Sequence, residues 1–225
     1  MTSYSELLRV EARLPRRFVE VVRSVGVTEP ISCVLDHFDL LARKYCEAPR
    51  HYHTLTHIAQ CIIEFDRVAQ YAKHPNRILM AIFYHDVVYD TSRNDNEQKS
   101  ASYFSMNARN VLHITDEEFI IETARLIELT KVHRTDPNTD PDGALMCDVD
   151  MSILGADAFE YDEYARTVRK EYAKHGDEHW AVVRMEHFID PKLEDESIFL
   201  TPMFRARYEE RARANLMEER MRLQS

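Results

Sequence analysis

Residues 75–90 read Pro-Asn-Arg-Ile-Leu-Met-Ala-Ile-Phe-Tyr-His-Asp-Val-Val-Tyr-Asp, and the helical reading of the chain starts here. Pro75 suits the first turn of a helix, where its missing N–H costs nothing. Ile78, Ile82 and His85 follow at spacings of four and three, and Leu79, Phe83 and Asp86 repeat that spacing one residue on. Residues three or four apart share a helix face. The stretch therefore predicts a helix whose apolar rows end in a histidine and an aspartate directed at the core. The apolar run from Ile78 to Tyr84 is far shorter than the roughly 20 residues a bilayer span needs.

Upstream, Ile31, Val34, Leu35, Phe38, Leu41 and Tyr45 recur at helical spacing after Pro30, and Pro49 follows them. A second helix is expected from about Thr54 to Tyr71, with Ile58, Ile62 and Phe65 on one face. Downstream, Asn94-Asp95-Asn96-Glu97 reads as a helix start with Glu97 in the first turn. Thr115 to Glu118 reads as a capping box with Thr115 at the N-cap. Arg134 to Gly143, polar and with two prolines, is the best loop. Helical patterns resume near Ala144, Asp157 and Asp177, and Phe204 to Leu223 reads as a long charged final helix. No useful strand alternation and no internal repeat interrupts this. The expectation is an all-α protein: one helical domain over residues 1–225, its core at about 31–175 and a C-terminal helical extension at 177–225.

Composition agrees with a globular chain of 225 residues, 44% hydrophobic and 30% charged. The formal net charge of -10 argues against an extended nucleic-acid or anionic-membrane surface, and leaves room for one local phosphate site. The first residues lack a basic segment followed by an apolar one, so no signal peptide is expected. Cys33, Cys46, Cys61 and Cys147 form no CxxC pair, and three fall among apolar helical positions. A reducing cytoplasm is the expected compartment, with no membrane partner.

The chemistry sits where ligand-type residues interrupt apolar rows. Met146, Asp150 and Ile153 form a third such row. A buried carboxylate without a partner costs several kcal/mol, so two of them beside a histidine suggest a bound cation. His53 and His57 lie four apart, and His57 adjoins the apolar face of Ile58, Cys61 and Phe65. Two imidazoles and two carboxylates without sulfur suit a divalent Mn, Fe, Co, Ni, Zn or Mg ion. A core histidine paired with a buried acid is the plainer alternative. Asp148 and Asp150 both compete for the last ligand position, and the row favours Asp150. Lys131 and His133 end a helix, where the dipole alone favours basic residues, or they meet a substrate phosphate. Tyr161, Tyr164, Arg169 and Tyr172 lie at near-helical spacing; the tyrosines read as core, and the Arg169 guanidinium would match a phosphate.

Four ordered blocks give these residues a family context: HYHTLTHI at 51–58, FYHDVVYD at 83–90, DNEQKSAS at 95–102 and DVDMSILG at 148–155. Together they resemble the HD superfamily of metal-dependent phosphohydrolases, and more closely a bacterial subgroup of predicted HD phosphohydrolases without an assigned substrate. The resemblance spans roughly Leu35 to Tyr172. It implies an HD-type helical fold with His57, His85, Asp86 and Asp150 as metal ligands, and it puts the block with Glu97 and Ser100 beside the metal. Glu97 would orient or deprotonate a water, Lys131, His133 and Arg169 would neutralise phosphate charge, and His53 would contact substrate. The substrate would be a small phosphate ester or anhydride, with a nucleotide favoured by the resemblance alone. The alternatives are a non-catalytic metal- and nucleotide-binding module, and another metalloenzyme on this scaffold such as a di-iron oxygenase.

Overall fold

A computed structural model describes residues 4–224. Its helices are α1 (Tyr4–Glu11), α2 (Leu14–Ser24), α3 (Ile31–Lys44), α4 (Leu55–Val68), α5 (Pro75–Tyr84) and α6 (Asn96–Asn110). They continue as α7 (Glu117–Leu129), α8 (Pro141–Asp150), α9 (Ala158–Glu171), α10 (Asp177–Arg184), α11 (Asp190–Glu194) and α12 (Pro202–Leu223). No strand occurs among the described residues, so the chain is all-α as expected. None of the described helices is long and apolar enough to cross a membrane.

The fold is organised around α5. Every residue from Ile78 to Tyr84 is buried, and α5 packs against α2, α4, α6, α7 and α8. A helix that is apolar all round has no solvent face to spare, so it becomes the centre. Its last helical residue is Tyr84. His85 keeps helical dihedrals (φ -57, ψ -36) as the C-cap, and Asp86 falls in the turn beyond, so the predicted rows run just past the helix end.

Local sequence sets the other boundaries. Thr54 caps α4 by accepting the Thr56 N–H at 3.3 Å, and Asp157 caps α9 by accepting that of Glu160 at 3.0 Å. The cap of α7 is Asp116, which accepts the Phe119 N–H at 2.9 Å, and not Thr115. Asp carries a full charge at the positive helix end, which favours it over the neighbouring hydroxyl. Two apolar positions also differ from expectation: Ile31 is 55% exposed, and of the cysteines only Cys61 and Cys147 are buried.

The core extends past residues 31–175 at both ends. Leu14, Phe18 and Val22 of α2 join it, as do Phe204, Tyr208 and Leu216 of α12. The final helix is therefore part of the body. It packs on the 3₁₀ turn Met151–Gly155, where the bare Gly155 permits close approach; a Cβ there would meet Tyr208 Cβ at 2.4 Å. At its start, Asp148 accepts the N–H groups of Leu200 and Thr201, both at 2.7 Å, and the Thr201 hydroxyl at 2.6 Å.

Candidate metal centre

Three helical segments bring the ligand-type residues together. The Thr54 cap starts α4 so that His57 enters the core one turn later, 2% exposed. The end of α5 delivers His85, and the end of α8 delivers Asp150. His57 Nε2 lies 3.1 Å from His85 Nε2 and 3.1 Å from Asp150 Oδ1, and His85 Nε2 lies 3.3 Å from that same oxygen. Asp86 flanks the group, with Oδ2 3.1 Å from His85 Nε2 and 3.6 Å from His57 Nε2.

These spacings fit a cation. Ligand atoms about 2.0–2.2 Å from one ion stand about 3–3.6 Å from each other. His85 Nδ1 lies 2.9 Å from the Ile82 carbonyl and donates to it, so in the neutral ring Nε2 offers a lone pair. That lone pair faces a second imidazole nitrogen and two carboxylates, which only a cation or a proton reconciles. The charges around the group oppose one another in the same way. Burial opposes charge on His85, but Asp86 and Asp150 outweigh it and hold the imidazole well above its ordinary value. Burial likewise opposes ionisation of Asp86 and Asp150, yet His85 keeps both below the usual carboxylate range. His57, where burial dominates, is lowered. His57, His85 and Asp150 could hold a metal ion.

Further residues hold the members of the group in place. His133 Nε2 lies 2.8 Å from Asp150 Oδ2, so the residue read as a phosphate contact holds Asp150 of the group. It does so from a left-handed backbone (φ 49), unusual for a non-glycine residue and costly unless the surroundings impose it. Arg50, buried beside the rings of Tyr45 and Tyr89, donates to the carbonyls of His53 (3.0 Å), Asp86 (2.8 Å) and Val87 (3.0 Å). It ties the turn before α4 to the turn after α5. Ser100, fully buried, holds that second turn through Val88: its Oγ accepts the Val88 N–H at 3.1 Å.

The remaining sequence candidates fall in other places. Asp148 faces away, toward Thr201, so Asp150 is the aspartate of the pair that joins the group. Lys131 Nζ donates to the Asn94 carbonyl. Glu97 is half-buried in the first turn of α6, as read, and is no member of the His57–His85–Asp150 group. Arg169 differs most from expectation. Its guanidinium binds Asp177 and the carbonyls of Tyr172 and His175, which closes the C-terminus of α9 instead of facing the metal group.

The helix carrying Arg169 does return to the site, but with Glu171. Only 1% exposed, Glu171 Oε1 accepts the N–H groups of His51, Tyr52 and His53 at 2.7, 2.7 and 2.9 Å. Its Oε2 faces His53 Nδ1 at 2.6 Å and accepts the Tyr89 hydroxyl at 2.8 Å. Burial opposes this carboxylate's charge, but His53 and the N–H donors prevail and bring its pKa down to about 2. Glu171 and Arg50 escaped the sequence reading, since both stand in charged or loop-like stretches that look solvated. The nearest signal was the cluster of ring residues at 51–53, which needs something buried to hold it.

A cavity of about 560 Å³ adjoins the group, with His57 and Asp150 in its wall beside Tyr52, Tyr164 and Phe159. Comparison of the chain with family models, with curated proteins and with solved structures finds no match.

Proposed function

We propose that this chain is a metal-dependent phosphohydrolase acting on a small phosphate ester or anhydride. The observation that carries the reading is the convergence of His57, His85 and Asp150 ligand atoms within 3.1–3.3 Å of one another, with His57 and Asp150 in the wall of an adjoining substrate-sized cavity. The ordered His, His-Asp and Asp blocks of the sequence support it. A divalent ion held there supplies charge for a phosphoryl oxygen and acidifies water.

The chain's own residues do the rest. His133 and the Ile82 carbonyl fix the orientation of Asp150 and His85, and Arg50 holds the Asp86 turn. The side chains of His53, Asp86, His133 and Asp150 stay 13–20% exposed, so the group is open to a small reactant. The cavity walls carry Glu64, Asp157, Glu160 and Glu163, with Arg211 as the one arginine or lysine among the described lining residues. Such walls favour a leaving group with little negative charge over a polyphosphate chain, which narrows the nucleotide expectation to a monoester.

A second reading rests on the same charges. Lys131 and Arg169 are engaged elsewhere, so the expected phosphate clamp is not assembled, which favours a metal-binding module without turnover. One experiment separates the two. Protein purified without chelator is analysed for metals and tested for phosphate release from nucleoside monophosphates, cyclic nucleotides and simple phosphoesters. Metal-dependent release supports the hydrolase; bound metal with silence across the panel supports the module; absence of metal defeats both.

A further inference from the structure

Glu171 is a buried carboxylate with five partners, and all five are donors or can only be donors. Three are backbone N–H groups, one is the Tyr89 hydroxyl, and the fifth is His53 Nδ1. An ionised carboxylate has no proton to give, so Nδ1 must carry one. In the neutral ring the lone pair then lies on Nε2. That nitrogen stands 4.0 Å from Asp86 Oδ2, at the partly exposed edge of the metal group. Two acceptors at that separation can share one water, which has two O–H groups and can donate one to each. The ring itself is held between the Tyr89 ring, centroid 4.3 Å away, and the Tyr52 ring, 5.0 Å away.

We propose that Glu171 is a positioning residue that locks His53 in its Nδ1–H tautomer and turns Nε2 toward the reacting water. The proposal rests on the hydrolase reading for its chemistry, though not for its tautomer. In the step it serves, a water O–H bond breaks and the proton passes to Nε2 while the water oxygen bonds to phosphorus. The bond from phosphorus to the leaving oxygen breaks, and that oxygen takes the proton back from His53. Glu171 touches none of the reacting atoms; it acts only through His53, as a buried carboxylate does when it orients a catalytic imidazole.

Glu171→Gln is the test. Its amide oxygen can still accept the three N–H groups, so the 51–53 segment keeps its anchor. Its NH₂ now meets His53 Nδ1, which must become an acceptor, and the ring must move its proton to Nε2. Nitrogen-15 spectra of histidine-labelled protein in mildly alkaline buffer read the tautomer directly, and metal content and melting temperature are measured alongside. The expected result is Nδ1–H in the wild type and Nε2–H in Glu171→Gln, with metal content unchanged and kcat reduced about 10–100-fold at similar KM. A wild-type His53 protonated on Nε2, or on both nitrogens, overturns the proposal even if the variant fails to fold. So does a flipped tautomer with unchanged kcat. If the wild type turns over no phosphoester at all, the hydrolase reading fails by itself, and the tautomers still decide whether Glu171 controls His53.

Discussion

His133 Nε2 lies 2.8 Å from Asp150 Oδ2, which leaves Oδ1 to face His57 and His85. The histidine divides the work of the carboxylate: one oxygen is held, the other is free to coordinate. Removing such a support typically costs about 10–100-fold in metal affinity. His133→Ala should lose affinity on that scale, while His133→Asn should retain most of it. Asn offers an N–H donor and tolerates the left-handed backbone found here. Calorimetric titration with Mn or Zn checks both; equal losses would mean that the backbone, not the hydrogen bond, matters.

Asp148 and Asp150 should fail in different ways. Asp150→Ala should abolish stoichiometric metal binding. Asp148→Ala should leave metal content intact and lower stability, because the Leu200 and Thr201 N–H groups lose their acceptor. Each unsatisfied buried donor costs about 1–3 kcal/mol. Urea unfolding of the two variants, each with elemental analysis, separates these outcomes.

Arg169→Ala should keep metal content and turnover at wild-type levels. Its charged partner Asp177 is 95% exposed, and pairs of that kind contribute about 0–1 kcal/mol. The melting temperature should fall by no more than a few degrees, roughly 2–4 °C per kcal/mol at this chain length. A large loss of activity would return Arg169 to the site.

Chelation should destabilise the protein. An ion present at about 100 times its dissociation constant contributes about 2.7 kcal/mol, which corresponds to roughly 5–10 °C in melting temperature. Scanning calorimetry with EDTA and then with restored Mn or Zn measures it. Identical curves would show that proton sharing among His85, Asp86 and Asp150 serves the fold as well as an ion does.

Away from the site, His37 gives stability an acid limb. Burial lowers its pKa to about 4, and its Nε2 lies 2.7 Å from the Tyr84 hydroxyl. The folded state resists the protonated ring while the unfolded chain accepts a proton near 6.5, so the unfolded state binds more protons between those values. Stability therefore rises from pH 4 to 6.5 and is lost on acidification through that window. The His37 contribution amounts to about 3 kcal/mol over the full range. Urea unfolding of His37→Gln at both ends should show a flatter pH dependence than wild type; parallel curves would assign the limb to other groups.

The helices were legible because apolar period and caps coincide, as at Pro30, Thr54 and Asp157. His57, His85 and Asp150 were legible because each ligand-type residue adjoins an apolar helical run. The rows that pointed to His85 and Asp86 carried less information than they suggested, since α5 is buried on every side and has no face to choose. Arg169 and Glu171 show the limit most clearly. They are two residues apart, about 200° around a helix, so only one can turn toward the site. Phosphate chemistry favoured the arginine. The pairing that selects Glu171 involves residues 118–120 positions earlier, beyond the reach of any local pattern.

The wide separation of the metal-group residues along the chain also has a meaning for folding. His57 and His85 are 28 residues apart, and Asp150 belongs to a helix much further on. In the unfolded chain these atoms share no neighbourhood, and drawing them together costs loop-closure entropy, about 0.6 kcal/mol more for each doubling of the loop. An ion held by the group would therefore find its full set of donors only after α4, α5 and α8 have docked. Its stabilisation would arrive late on the folding route, so it would act chiefly by slowing the escape from the native state and leave the rate of folding almost untouched.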